Sequence, residues 1–289
     1  MNVYGLLSVL LALPWWQMDE EVRLQRWKNA TERPLQQRVL EISAGFLGTP
    51  YAFSPLGEGE GVDADPLFRW DAVDCLTFVE ETLALSLADT WEEMLPLLND
   101  IRYEKGKPSY EARNHVMEAQ WLPLNLKKGY IKSLAPSLPS RHIKQVQTQL
   151  TQETWKHAEG QSLKLPVGAR PLGRFTMEMI PVAQAMPLFS KLPEGSVVVF
   201  IRADSSKRIT RVRHVGFLVH GPKAPMLRHA SRTFKKVVDE PIERYIRRNL
   251  AHASWTIEGV AIYELQKPPK AKSEESMQKP PAAKSAGGR

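Results

Sequence analysis

The 289-residue sequence holds one cysteine, Cys75. A disulfide within the chain is therefore excluded, and so is a zinc site built on several thiolates. Also missing are a Gly-x-Ser-x-Gly elbow, a His-Glu-x-x-His pair and a dinucleotide-binding glycine fingerprint. The Gly57-Glu-Gly-Glu-Gly61 run is acidic and has no Lys-Ser/Thr behind it, so it would repel phosphate and reads as a loop. No apolar run approaches the roughly 20 residues that span a bilayer. The nearest, Val3 to Leu13, has the length of a secretion leader's apolar core. It lacks a basic stretch before it and a small-x-small cleavage site after it. We read 1–18 as a leader remnant, with a short docked helix as the alternative. A leader implies a periplasmic or secreted protein, and a docked helix leaves the cytoplasm as the second choice.

What is present suits a soluble globular protein: 43% hydrophobic and 25% charged residues. The net charge of +7 points to an anionic partner, either nucleic acid or carboxylate-rich cell-wall fragments. Part of it is local. From Lys267 to Arg289 five Lys and one Arg stand against two Glu, leaving the rest only mildly basic. That Lys/Pro/Ser/Ala/Gly tail, 266–289, buries too little apolar surface to order itself and is expected to be disordered. It lacks interleaved aromatics, which argues against nucleic acid.

Leu35, Val39, Ile42 and Phe46 recur at helical spacing before Gly48. Residues 19–33 also read as helix, 49–71 as a long loop, 75–88 as a helix apolar nearly all round, and 91–99 as another helix. Residues 102–140 look like an elaborated loop insertion, and 141–157 like a polar surface helix. The second half changes to strand-like runs at 196–201, 213–220, 226–230, 235–238 and 259–263, separated by turns such as Pro193-Glu-Gly195. Helices followed by consecutive strands predict an α+β fold with an antiparallel sheet.

The chemistry concentrates at Asp74-Cys75. Asp74 is a good N-cap, which puts Cys75 in a helix's first turn, where unpaired amides and the dipole favour a thiolate. A lone buried cysteine is more often a small apolar filler, so a base is needed to make the case. His214 opens the strand Arg213-His-Val-Gly-Phe-Leu-Val219, with Val215 and Phe217 on the opposite, core-facing side. Gly216 leaves room beside His214 for the Cys75 helix or for a substrate. His229 lies one strand later and could orient the His214 ring and fix its tautomer. A zinc site from these three is disfavoured, because a helix-start cysteine needs no metal for activation. Arg208, Arg211 and Arg213 either bind substrate carboxylates or solvate a strand edge.

Pro50-Tyr51, Asp74-Cys75, His214-Val-Gly-Phe217 and His229-Ala-Ser231 resemble, in order and spacing, the NlpC-type papain-like cell-wall hydrolases. Gly48 to Gly59, Asp74-Cys-Leu-Thr-Phe-Val-Glu80, Ile101-Arg-Tyr103 and Arg113-Asn-His115 resemble its N-acetylmuramoyl-L-alanine amidase-like branch. Thr77 stands where the wider superfamily usually has Gly. The resemblance implies a minimal papain-like fold, with the nucleophile helix packed on the sheet. It implies Cys75 as nucleophile, His214 as general base and acid, and His229 as the orienting residue. Tyr51, Arg113, Asn114 and His115 would contact substrate. No cofactor and no metal are implied. The hydrolase domain would cover 19–265.

The activity implied is hydrolysis of the muramic acid–L-Ala amide in peptidoglycan fragments, 1,6-anhydro-muropeptides included. The alternatives are a γ-D-Glu–diaminopimelate endopeptidase and a non-catalytic wall-binding relative.

Overall fold

The structure, a computed structural model, describes residues 13–205, 208–251 and 256–268. Four helices come first: α1 (Glu20–Thr31), α2 (Leu35–Gly45), α3 (Cys75–Leu87) and α4 (Trp91–Arg102). A π-helical turn at Met117–Trp121 leads into α5 (Leu122–Lys128). Strands then dominate: β1 (Ile131–Ser133), β2 (Lys144–Leu150), β3 (Gly173–Pro181), β4 (Val197–Arg202), β5 (Val212–His220), β6 (Pro225–Ser231) and β7 (Lys236–Pro241). Helix α6 (Ile242–Leu250) and strand β8 (Ile257–Leu265) close the described fold. The strands pair antiparallel in the order β2-β3-β8-β4-β5-β6-β7, with β1 on β8. This is the α+β architecture expected.

Strand β4 is buried along its whole length because both faces of the sheet are covered. Val197, Val199 and Ile201 join a core with Phe78, Leu83 and Phe217 beneath α3. Val198 and Phe200 join a second core with Leu227, Ile242, Tyr245 and Ile246 beneath α6. Alternation with period two therefore feeds two cores from one strand. His214 lies on the α6 side, where the Phe200 and Tyr245 rings flank it.

Several expectations are corrected. Residues 141–157 contain a strand, β2, rather than a surface helix, because Val146, Thr148 and Leu150 alternate inward between exposed polar neighbours. Residues 102–140 are short helices and an edge strand rather than a loop insertion. They are anchored by Arg102, whose Nε meets Glu80 Oε2 at 2.8 Å, and by Trp121, whose Nε1 donates to Glu80 Oε1 at 2.9 Å.

The boundary expected at residue 18 falls inside the packed unit. Trp15 and Met18 are buried, and Trp15 Nε1 donates to Ile42 O at 2.9 Å. Gly45 makes this possible, since a Cβ there would lie 1.9 Å from the Trp15 indole. Residues 1–12 and 269–289, which hold most of the leader and tail expectations, lie outside the described residues. Among the described residues no helix is long and apolar enough to cross a membrane.

Trp15→Ala is expected to cost about 3–5 kcal/mol, the usual range for deleting a buried tryptophan. Urea unfolding with an unchanged m-value checks this, and a cost near zero would show that residue 15 does not pack.

Candidate active site

Helix α3 starts with a reciprocal cap. Asp74 Oδ1 accepts from the amides of Leu76 at 3.0 Å and Thr77 at 2.9 Å, while Asp74 N–H donates to Thr77 Oγ1 at 2.8 Å. Thr77, the departure noted in the sequence, is thus the third helical residue of a capping box. Asp74 Oδ2 also accepts from Ser54 N–H at 3.3 Å. The cap holds Cys75 at the first helical position, partly open to a cleft of about 520 Å³.

Cys75, Tyr51, His214 and His229 all line this cleft. The Val215 amide, next in chain to His214, lies close enough to the sulfur to favour its thiolate. A break in the β4–β5 register helps aim His214. Phe200 pairs with His214 but Ile201 pairs with Val212, so Arg213 is the extra residue of a bulge.

The β5–β6 ladder runs only from Phe217–Arg228 to His220–Pro225. Past its end, at Gly216, the two strands approach more closely than a side chain would allow. A Cβ on Gly216 would lie 2.7 Å from Arg228 O and 2.9 Å from His229 Cβ. The room expected beside His214 for the Cys75 helix is therefore taken by β6, which brings His229 Nδ1 to 2.7 Å from His214 Nε2.

Three residues missed in the sequence complete the surroundings. Tyr245 of α6 stacks on His214, with centroids 5.1 Å apart and planes at 24°. Glu240 of β7 places Oε2 3.4 Å from His229 Nε2, in ion-pair range but short of good hydrogen-bond geometry. Arg248 holds that carboxylate with both terminal guanidinium nitrogens, Nη2 at 3.0 Å from Oε2. Burial opposes the charge on Glu240, but His229 and Arg248 outweigh it and hold the group below the usual carboxylate range. The facing carboxylate selects the His229 tautomer with hydrogen on Nε2. His229 Nδ1 is then an acceptor, His214 Nε2–H donates to it, and His214 Nδ1 is left without a hydrogen. Signals for Glu240 and Tyr245 were readable. Val238 pairs with His229, so Glu240, two residues on, shares its face. Ile242, Tyr245, Ile246 and Asn249 recur with helical period.

The expected thiolate is corrected. Burial, then the adjacent Asp74 carboxylate, push the Cys75 thiol up to about 12, against the amides of Val215, Cys75 and Leu76. Burial, then His229, Arg248 and Arg213, push His214 well below the ordinary imidazole range. Both shifts favour an uncharged thiol beside an uncharged imidazole, and the helix-start amides do not overcome desolvation. Burial also raises Tyr51 to about 12, with Cys75 and Asp74 adding to it, so its phenol is a hydrogen-bond donor at neutral pH.

Arg113, Asn114 and His115 are not brought to this cleft. Arg113 pairs with Glu58 at 2.6 Å and Asp63 at 2.9 Å. Asn114 is buried, with its amide donating to Ile101 O at 3.4 Å, and His115 Nε2 meets Tyr110 O at 2.7 Å. Of the three arginines before His214, Arg211 turns to Glu258 and Arg208 to Glu159, and only Arg213 lines the cleft. Among the described residues no three His, Cys, Asp or Glu side chains are grouped to hold a metal ion.

Fold and site together define an α+β protein with a Cys–His–His cleft at the start of its most buried helix. The chain belongs to the AmiA-like, N-acetylmuramoyl-L-alanine amidase-like family, whose model matches residues 41–252. Among solved structures it is similar to a protein from Legionella pneumophila at 24% identity and a TM-score of 0.70, covering 84% of this chain and 93% of that one. It is also similar to an N-acetylmuramoyl-L-alanine amidase from Bacteroides uniformis, at 21% identity and a TM-score of 0.66, covering 81% and 99%. At these identities the likeness shows a shared fold. No curated protein matches the sequence.

An uncharged resting thiol predicts no thiolate absorbance near 240 nm at pH 7 in wild type minus Cys75→Ala, with the signal rising only in the alkaline range, toward about 12. A thiolate plateau extending down to pH 5 would show a preformed ion pair instead.

Proposed function

We propose that this chain is an NlpC-type, papain-like cysteine amidase that hydrolyses the amide between the lactyl group of muramic acid and L-Ala in peptidoglycan fragments, with 1,6-anhydro-muropeptides as its preferred form. The proposal includes a periplasmic or secreted location, where such fragments arise. The observation that carries it is the convergence of Cys75, His214 and His229 on one cleft, with the imidazoles 2.7 Å apart. Family membership supports the bond, and the cysteine supplies the chemistry.

In this reading the Cys75 sulfur attacks the lactyl carbonyl as its proton moves to His214 Nδ1. The imidazolium that forms is stabilised by His229 Nδ1 and, through it, by the Glu240 carboxylate. Carbonyl electrons collect on oxygen, where the Cys75 amide at the helix start and the Tyr51 phenol can donate. Collapse breaks the C–N bond, and His214 Nδ1–H protonates the departing L-Ala amine. A water then attacks the thioester, giving its proton to His214, and releases the muramic carboxylate and the regenerated thiol. No charge separation has to be held in the resting site, which matches the neutral pair above.

Digestion of reduced and 1,6-anhydro-muropeptides with product mass spectrometry tests this. Wild type is expected to release the stem peptide with a free L-Ala amine, and Cys75→Ala to lose on the order of 10³-fold or more in rate. Cleavage after γ-D-Glu instead would overturn the choice of bond, and full activity of Cys75→Ala would overturn the mechanism. The acid limb of kcat/KM is expected below the ordinary imidazole value of 6.5, because His214 must be uncharged and its pKa is lowered.

Glu240→Gln is expected to lower kcat by roughly 10- to 10²-fold with KM nearly unchanged, and Glu240→Asp to recover part of the loss. An equal rise in KM with kcat intact would mean that Glu240 does not act through His229.

A further inference from the structure

The cleft that opens on Cys75 is unbalanced in charge. Arg213, Arg232, Lys235 and Arg248 line it against a single carboxylate, Asp74. Asp74 is committed to the amides of Ser54, Leu76 and Thr77. Arg248 is engaged by Glu240, and Arg213 lies 4.0 Å from Glu159. Arg232 and Lys235 are exposed, and among the described residues no carboxylate forms an ion pair with either.

The turn that carries these two cations is tied down through its backbone. They sit on the four-residue turn, 232–235, between β6 and β7. Tyr51 N–H donates to Lys235 O at 2.9 Å, and Phe234 N–H donates to Ser231 Oγ at 3.3 Å. Lys235 adopts φ 59°, a left-handed conformation in which turns usually carry Gly or Asn. A lysine occupies this unfavourable position, on the same wall as Tyr51. Arg232 reaches the same place electrostatically, since it opposes the rise in the Tyr51 pKa.

The substrate class has a group that fits. The residue after L-Ala in the stem is a glutamate joined through its side chain, which leaves its α-carboxylate free. That carboxylate lies about two residues from the scissile nitrogen, roughly 7 Å in extended chain. We propose that the 232–235 turn recognises the free α-carboxylate of this second stem residue through Arg232 and Lys235, so that the enzyme selects an acidic over an amidated stem peptide. The inference rests on the amidase reading, in which the stem is the leaving amine. The positive wall also draws an anionic stem toward the cleft at low salt.

Two synthetic ligands test it, N-acetylmuramoyl-L-Ala-D-Glu and its D-isoglutamine twin, each closed as the γ-methylamide, which differ only in α-carboxylate against α-carboxamide. Calorimetric binding to the Cys75→Ala protein is expected to favour the acid at least tenfold at low ionic strength, falling severalfold at 0.5 M salt. Adding Arg232→Gln and Lys235→Gln is expected to bring the ratio near one, while Lys235→Arg retains it. Equal binding of both ligands, no measurable binding of the acid, or a preference that survives the double substitution would overturn the proposal. Turnover by the unsubstituted enzyme is read separately. A retained preference without hydrolysis would sink the amidase reading and leave the recognition standing.

Discussion

The contact on which the site depends is the 2.7 Å approach of His214 Nε2 to His229 Nδ1. It exists because Gly216 has no side chain to hold β6 away. It is directed by the Arg213 bulge and completed by Glu240 behind His229. Remove the close approach and His214 has no partner to fix its tautomer. The chain of groups from Glu240 through His229 to His214 is then broken. The fold serves this contact from both faces of the sheet. Helix α3 brings the sulfur from one side, and α6 places Tyr245 against the imidazole from the other.

Two opposing electrostatic effects meet at Cys75, and burial wins. The helix start and three amides favour the thiolate, yet desolvation and Asp74 leave the thiol uncharged. The same burial keeps His214 neutral. Asp74 has a double part. It caps the helix that positions Cys75, and its charge opposes ionisation of the thiol.

Much of this was legible in the residues. The apolar run behind Asp74 marked α3, and alternation marked β4 and β5, because both signals are local. The pairing of His214 with His229 was also readable from strand order. Other features depended on contacts that no local pattern reports. β2 reads as polar because only every second residue faces inward, and Trp15 looks like part of a leader until Gly45 is seen to receive it. Cys75 was read as ionised because helix position is visible in sequence and desolvation is not. Arg113, Asn114 and His115 matched a motif, yet Glu58, Asp63, Ile101 and Tyr110 hold them within the framework of the fold.

The central claim is that the Cys75 sulfur takes the acyl group from the substrate. The most direct measurement is acid-quenched mass spectrometry of the protein caught during turnover of a muropeptide. The account predicts an adduct on the Cys75-containing peptide with the mass of the sugar and its lactyl group, and without L-Ala. An adduct carrying L-Ala and glutamate, or turnover with no adduct in wild type under conditions where hydrolysis of the thioester is rate-limiting, would contradict it.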